Sequence, residues 1–300
     1  MKSPTANADT ATRRRWSAWP LVRTALIAYL IVGFLMTFLE TWLVYPAPPL
    51  AAGDWQPAGL NYEDVWFNSA DGTKLHGWFV PHPSPRRAIV YCHGNGEFVA
   101  FNADLAAHLR DTLEASVFLF DYRGYGHSQG KPTEAGCSKS EGRPHEAGCI
   151  ADGIAAQRWL AERMGVEPNE IIVMGRSLGA AVAVAMAAEL GAKALVLENG
   201  FSRMTDIAGH HYPWLPVGWA MQNRYDSLQR IGKYRGPLLQ SHGTKDWIVP
   251  IRFGRQLFDA SPSEPKRFLE FSGQDHNDPF TADYYRELRR FLDDEVPSVP

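Results

Sequence analysis

Cysteine is scarce in this 300-residue sequence, and the three that occur, Cys92, Cys137 and Cys149, include no CxxC pair. This spacing supports neither a structural zinc site nor a disulfide-stapled scaffold, so we expect no metal and no cofactor. An excess of basic charge is also missing, because the formal net charge is −3. Nucleic acid is therefore not expected as a partner. The hydrophobic content of 45% predicts one substantial folded domain with an N-terminal appendage.

Charged residues are absent from positions 24–39, and the apolar pattern around this run predicts a helix over about residues 20–45. A helix needs about 20 residues to cross a bilayer, so this one is long enough to be a transmembrane signal anchor. Aromatic residues flank the run on both sides, as they do at membrane interfaces: Trp16, Trp19, Trp42 and Tyr45. The sequence therefore predicts attachment to a membrane through its N-terminal helix.

Basic residues near this helix lie on its N-terminal side, and after Arg23 the next one is Lys74. The positive-inside rule then predicts a basic tail (residues 1–19) in the cytoplasm and an extracytoplasmic folded domain. Two alternatives stay open: a signal peptide cleaved near Leu50-Ala51-Ala52, and a buried helix of a soluble domain. Prolines and small residues in the segment 46–58 predict a linker.

Short apolar runs alternate with helical patterns through the rest of the chain. An antiparallel hairpin is predicted first, and its strands, residues 62–68 and 74–80, flank Asp71-Gly72. Further predicted strands are residues 88–92, 116–120, 171–175, 194–198, 237–241 and 267–271, and predicted helices are residues 98–113, 150–164, 177–190, 251–260 and 282–292. This alternation predicts an α/β domain (residues 59–295) with a mostly parallel central sheet and helices on both faces. Ligands of such sheets bind at the carboxyl ends of the strands.

A short duplication interrupts this pattern, because the segment Ser128–Cys137 recurs in similar form as Ser140–Cys149. Two copies are too few for a repeat architecture, so the duplication is interpreted as a lengthened surface loop. In an oxidising compartment, Cys137 and Cys149 would be a plausible disulfide, because they occupy equivalent positions of the two copies.

The sequence Gly175-Arg-Ser-Leu-Gly179 has the pattern G-x-S-x-G between an apolar strand and an alanine-rich helix. In a nucleophile elbow, this turn exposes the serine, and the flanking glycines let neighbouring elements approach. The elbow makes Ser177 the candidate nucleophile. It also aims the Leu178 N–H toward a developing oxyanion. The alternative is an ordinary serine that caps a helix.

A serine nucleophile needs a histidine base and an acid, which follow it in the order serine, acid, histidine. Asp246 and His276 each follow a predicted strand, so they are the candidate acid and base. His242 is the main competitor for the role of base, but it precedes Asp246 and would violate the order serine, acid, histidine. Glu198 is the reserve acid, whereas Asp275 is adjacent to His276 in sequence and is poorly placed to reach its ring.

The turn His93-Gly-Asn-Gly96 follows the predicted strand 88–92, where the second donor of an oxyanion hole is expected. Asn95 is the candidate for this backbone N–H, and Gly96 is the next choice. A plain glycine turn is the alternative.

From about Tyr62 to Leu292 the sequence resembles the membrane-anchored α/β-hydrolases of the ABHD and Bem type, which are related to serine aminopeptidase-like hydrolases. The matching segments are residues 93–96, 121–126, 175–179, 242–250 and 273–278. The resemblance implies an α/β-hydrolase fold with a Ser-Asp-His triad and a short lid. It does not select a substrate, since similar proteins hydrolyse lipids, thioesters or peptides. It also implies that Asp121 and Arg123 belong to a structural turn.

Residues 199–236, which we call the lid segment, are rich in aromatic side chains and occupy the place of the lid in such proteins. An aromatic-rich lid would receive an acyl chain, and the alternative is that these aromatic residues simply belong to the core. The expected function is hydrolysis of carboxylic esters or thioesters, with a small-molecule or lipid acyl substrate near a membrane. An aminopeptidase-like amide hydrolase is one alternative. A catalytically inactive, membrane-tethered binding protein is the other.

Overall fold

An eight-stranded sheet organises the part of the chain that the computed structural model describes, residues 18–130 and 143–296. Its strands are β1 Glu63–Asn68, β2 Lys74–Val80, β3 Arg87–Cys92, β4 Ala115–Phe120, β5 Ile172–Arg176, β6 Ala194–Glu198, β7 Leu238–Gly243 and β8 Lys266–Phe271. They are arranged in the order β1-β2-β4-β3-β5-β6-β7-β8. Strand β2 is antiparallel to its two neighbours, and all other pairs are parallel. The predicted hairpin and the mostly parallel sheet are confirmed.

Nine α-helices occur in the described residues: α1 Trp19–Val44, α2 Ala103–Leu113, α3 Glu146–Met164, α4 Leu178–Leu190, α5 Met204–His211, α6 Val217–Ala220, α7 Ser227–Ile231, α8 Ile251–Ala260 and α9 Ala282–Glu295. The helix expected over residues 98–113 is shorter than predicted. A separate 3-10 turn precedes α2, because the Val99 N–H donates to the Asp121 carboxylate at 2.9 Å and Asn102 leaves helical geometry at ψ 17°. An apolar pattern alone does not reveal this contact.

The helices cover the sheet on both faces, as expected. Alternate residues of a strand point to opposite faces, so Val90 of β3 packs with Leu160 of α3 and Val182 of α4 in one core. Ile89, also on β3, belongs to the second core, whose helical residues include Leu109 of α2 and Leu288 and Phe291 of α9. The ten residues Leu178–Ala187 of α4 are all buried, which explains why this helix is almost entirely apolar.

Helix α1 is the one helix of the described residues that is long and apolar enough to cross a membrane, over Trp19–Thr37 with a mean hydropathy of 1.8. Its C-terminal end belongs to the folded domain. Tyr45 is buried and donates from its hydroxyl to the Asn223 side-chain oxygen at 2.9 Å. The basic tail predicted for residues 1–19 lies, up to residue 17, outside the described residues.

The segment predicted as a linker, residues 46–58, packs against the domain. Trp55 stacks on Phe98 with 5.0 Å between ring centroids, and its indole N–H donates to the Leu50 carbonyl at 2.8 Å. A Cβ added at Gly53 would overlap the ring of Phe98, so this position requires glycine. The connection between α1 and the sheet is therefore held close to the surface of the domain.

The cysteines of the duplicated loop are described in part. Cys149 is a free, buried thiol on α3, and burial raises its pKa. Cys137 lies outside the described residues, as does the rest of residues 131–142. Cys92, at the end of β3, is a buried free thiol.

Candidate active site

Ser177 occupies a strained turn between β5 and α4. Its backbone has φ 54° and ψ −115°, a region that residues other than glycine rarely adopt. Two backbone hydrogen bonds hold the turn: the Ser177 N–H donates to the Glu198 carbonyl of β6 at 2.8 Å, and the Ala180 N–H donates to the Ser177 carbonyl at 3.0 Å. This is the geometry of a nucleophile elbow.

The two glycines of the G-x-S-x-G pattern allow close approach of neighbouring backbones. A Cβ added at Gly175 would overlap the Gly179 carbonyl, and a Cβ added at Gly179 would overlap the carbonyl of Cys92. The helix that begins after Ser177 can therefore contact the end of β3 directly. Close approach, rather than an unusual backbone angle, fixes the residue type at these two positions.

His276 joins Ser177 to Asp246. The His276 Nε2 atom lies 3.0 Å from the Ser177 Oγ, and the Nδ1 atom lies 2.7 Å from the Asp246 Oδ2. Asp246 lies in the turn after β7, and His276 lies in the loop after β8, so neighbouring strands bring the two side chains to one edge of the sheet. The structure thus brings together the three residues that the sequence analysis selected.

Asp246 is buried among hydrogen-bond donors. Burial would raise the pKa of this carboxyl, but contacts with the imidazoles of His242 and His276 and the Val249 N–H lower it to about 2. The Val249 N–H donates to the Asp246 Oδ1 at 2.7 Å, and the His242 Nε2 lies 3.3 Å from the Oδ2. Asp246 is therefore ionised at neutral pH. The His242 Nε2 atom also lies 2.7 Å from the Val249 carbonyl oxygen.

Glu198, the reserve acid, is held away from His276 by two tyrosines. Its carboxylate accepts hydrogen bonds from the Tyr91 hydroxyl at 3.0 Å and from the Tyr284 hydroxyl. Burial raises its pKa to about 7, although the tyrosine hydroxyls and the charge of Arg176 act in the opposite direction. The hydrogen bonds of the Glu198 carboxylate therefore go to tyrosines and not to the His276 imidazole.

Asn95 and Leu178 line the same cavity as Ser177 and His276. Within the described residues, the N–H groups of Asn95 and Leu178 donate to no other protein atom, whereas the neighbouring Gly94 N–H donates to Glu97 at 3.2 Å. The Asn95 side-chain oxygen accepts from the Tyr125 hydroxyl at 2.7 Å, which fixes the turn. Two backbone donors are therefore available beside the serine.

Comparisons with known proteins agree with this architecture. The model of the Alpha/beta hydrolase family matches residues 89–299. The chain belongs to the alpha/beta hydrolase family. An uncharacterized protein of Mycobacterium tuberculosis H37Rv is 37% identical to this hydrolase, over 93% of this chain and 96% of the relative. Protein bem46 of Schizosaccharomyces pombe is 28% identical over 95% of each chain, which confirms the resemblance drawn from the motifs.

Solved structures share the fold of this alpha/beta hydrolase. An esterase of Pyrococcus furiosus has a TM-score of 0.65 at 20% identity, covering 83% of this chain and 97% of that chain. An acetyl xylan esterase from Paenibacillus has a TM-score of 0.63 at 17% identity, covering 81% of this chain and 87% of that chain. At these identities the likeness shows the fold, and the predicted α/β-hydrolase fold is confirmed.

Two residues of the hydrolase site were missed in the sequence. Arg176 donates to the His276 carbonyl at 2.7 Å, and the Asn199 side-chain amide donates to the same oxygen at 3.1 Å. Asn199 also accepts from the Gly243 N–H at 3.2 Å, so it connects the His276 loop with β7. Their positions in the sequence could have indicated them, because Asn199 directly follows β6 and Arg176 lies inside the G-x-S-x-G pattern.

The cavity of the hydrolase at Ser177 has a volume of about 220 Å³. Its lining includes the polar residues Ser177 and His276 and five apolar residues, Phe201, Met204, Ile207, Ile248 and Val249. Three of these five apolar residues come from the lid segment. The lid segment therefore supplies part of the apolar lining of the cavity that contains Ser177.

Proposed function

We propose that this protein is a serine hydrolase that cleaves carboxylic esters or thioesters through an acyl-enzyme. The observation that carries the proposal is the continuous contact from Ser177 Oγ to His276 Nε2, at 3.0 Å, and from His276 Nδ1 to Asp246 Oδ2, at 2.7 Å. A nucleophile, a base and an orienting acid in this arrangement are the parts that acyl transfer requires.

In the first half of the reaction, Ser177 Oγ attacks the substrate carbonyl carbon while His276 Nε2 takes the hydroxyl proton. The carbonyl oxygen becomes an oxyanion, which the N–H groups of Asn95 and Leu178 stabilise. The bond to the leaving oxygen or sulfur then breaks, and His276 returns the proton to the leaving group. An ester of Ser177 and a free alcohol or thiol result.

In the second half, His276 removes a proton from a water molecule as its oxygen attacks the acyl-enzyme. The Ser177 Oγ leaves with that proton, and a carboxylic acid is released. Asp246 stabilises the imidazolium and keeps the Nε2 atom facing Ser177. Its low pKa, about 2, supports this role because the acid stays ionised while the histidine gains and loses a proton.

The test uses a fluorophosphonate, which labels activated serines, and p-nitrophenyl acetate. Ser177→Ala should abolish labelling and hydrolysis with little change in the thermal unfolding temperature. The control is Ser84→Ala, at an exposed serine in a turn, which should behave like the wild type. Labelling or hydrolysis that persists in Ser177→Ala would refute the proposal.

Helix α1 in this proposal is an uncleaved anchor, with the N-terminus in the cytoplasm and the catalytic domain extracytoplasmic. The apolar span Trp19–Thr37 supports insertion, and the burial of Tyr45 supports retention of the helix. Cleavage near Leu50 would remove Tyr45 from the core. Alkaline phosphatase fused to the C-terminus of the full chain should be active, and the mass of the mature protein should include α1. A shortened protein or an inactive fusion would contradict the proposal.

A further inference from the structure

A second cavity, of about 380 Å³, lies between helix α1 and the lid segment. Residues Gly33, Met36 and Thr37 contribute to the wall from α1, together with others one or two turns further along the helix. The opposite wall includes Ile207 and Ala208 of α5. Its volume is within the range of about 300–1,000 Å³ that is typical of small-molecule sites.

The second cavity adjoins the cavity at Ser177. Asn95, Met204 and Ile207 line both of them. Asn95 offers a backbone donor beside the serine, whereas Met204 and Ile207 offer apolar surface. A substrate whose carbonyl lies at Ser177 can therefore extend an apolar chain past Met204 and Ile207 toward α1.

Hydrogen bonds hold α1 in place as a wall of the second cavity. The Glu40 carboxylate is buried and accepts from the backbone N–H groups of Gln222 and Asn223, at 3.0 and 2.7 Å. The Asn223 side-chain amide donates to the same carboxylate at 2.9 Å. Because Glu40 is one turn from Met36, these bonds position the part of the helix that lines the cavity. Helix α1 is thus joined to the lid segment and is more than a tether.

The second cavity lies where α1 leaves its apolar span. Gly33, Met36 and Thr37 are at the C-terminal end of the segment Trp19–Thr37. Two exposed tryptophans belong to the lid segment nearby, Trp214 at 61% and Trp219 at 82% exposure, and Trp214 also lines the cavity. Tryptophan is enriched at the membrane interface, so these side chains support a position of the cavity at the bilayer surface.

We propose that the second cavity binds the acyl chain of a membrane-borne ester or thioester, so that the anchor helix α1 is itself a wall of the substrate site. This inference rests on the proposed function at Ser177. The acyl chain is the apolar group that matches the lining, and its source is the bilayer that α1 enters. The chain passes from lipid into the cavity without crossing water, while its carbonyl reaches Ser177.

A kinetic test compares two neighbouring residues of α1 in the full-length protein in detergent micelles. Met36→Trp adds bulk inside the cavity, whereas Leu35→Trp places the same side chain at a residue that is 51% exposed and does not line the cavity. We expect Met36→Trp to lower the ratio of kcat/KM for p-nitrophenyl palmitate over p-nitrophenyl acetate at least 10-fold. Leu35→Trp should leave both rates unchanged. Ala208→Phe, on the opposite wall, should lower the ratio as Met36→Trp does.

A second measurement does not depend on turnover. The Ser177→Ala protein in vesicles of phosphatidylcholine is irradiated with a palmitoyl ester that carries a diazirine on its chain. We expect crosslinks to the lid segment at Ile207, Ala208 or Val217, which decrease in the Met36→Trp background and persist with Leu35→Trp.

The two measurements separate the possible failures. An unchanged chain-length ratio in Met36→Trp and Ala208→Phe, together with no crosslinks to the lid segment, would overturn the inference and leave the proposed hydrolase intact. Met36-dependent crosslinks in the Ser177→Ala protein, combined with a wild-type protein that hydrolyses neither ester, would support the acyl site and contradict the proposed chemistry.

Discussion

Two buried carboxylates, Asp246 and Glu198, lie at the same edge of the sheet and have opposite properties. Burial acts in the same direction on both, because it raises the pKa of a carboxyl. At Asp246, two imidazoles and a backbone N–H outweigh burial and lower the pKa to about 2. At Glu198, two tyrosine hydroxyls do not, and the pKa rises to about 7. Burial therefore does not distinguish the carboxylate that contacts His276 from the one that does not, whereas the hydrogen-bond partners of the two carboxylates do.

The largest expected effect of this difference is on turnover. Asp246→Asn should reduce kcat for p-nitrophenyl acetate by about 10⁴-fold, because His276 loses the anion that holds its tautomer and stabilises its protonated form. Glu198→Gln should cost far less, since Glu198 contacts tyrosines and not His276. A greater loss of kcat in Glu198→Gln than in Asp246→Asn would reverse the assignment of the acid.

The second effect concerns stability above pH 4.5. The pKa of Glu198 is about 7 in the folded state against an ordinary 4.5. Its contribution to folding is therefore fully present below pH 4.5 and is lost as the pH rises through 7. The loss corresponds to roughly 3 kcal/mol of unfolding free energy. Denaturant titrations at several pH values should show this decline in the wild type and a flatter dependence in Glu198→Gln.

Arg176 affects the two carboxylates differently and should give a smaller effect. Its charge lowers the pKa of Glu198, and its guanidinium holds the His276 carbonyl. Arg176→Met should raise the pKa of Glu198 further and, by displacing the imidazole, reduce kcat up to about 10²-fold. KM should change little, which distinguishes loss of positioning from loss of substrate binding. A change confined to KM would show that Arg176 contacts the substrate instead.

The smallest expected effect is on the free energy of unfolding at low pH. The pKa of Asp246 is about 2 in the folded state against an ordinary 3.8, so its stabilisation is present above pH 3.8 and is lost as the pH falls through 2. The contribution is roughly 2 kcal/mol. Asp246→Asn should remove this part of the acid-side decline, as measured by denaturant titration between pH 2 and pH 5. An unchanged acid slope would mean that Asp246 is not held by its imidazole partners.

Residues that a local pattern places at a strand end could be predicted from the sequence. Ser177 lies in a recognisable turn, and Asp246 and His276 each follow an apolar strand, so the parallel topology brings them together. No local sequence pattern indicates that Tyr91 and Tyr284 are the hydrogen-bond partners of Glu198. Tyr284 comes from α9, and its contact with Glu198 depends on how that helix packs across the sheet.

The contact between α1 and the lid segment was also beyond sequence reasoning. Glu40 ends an apolar run, and in the sequence it marks only the end of the uncharged part of the predicted anchor helix. Its partner Asn223 is 183 residues away along the chain. Such a pair forms only when the complete domain brings the two segments together, and no local spacing predicts it. The 3-10 turn before α2 was not predicted for the same reason. It depends on a hydrogen bond to the Asp121 carboxylate, which is distant in sequence.

The strained backbone at Ser177 lowers the stability of the folded protein, although the proposed activity requires a serine at this position. With φ at 54°, this position favours glycine, and side chains there cost about 1–3 kcal/mol. Ser177→Gly should therefore unfold at a higher temperature than Ser177→Ala, although both lack the hydroxyl. A library of variants sorted only for folded protein would enrich glycine at position 177 and lose the proposed nucleophile. Under the proposed function, selection for stability alone would thus favour an inactive form, and only selection for turnover would retain the serine.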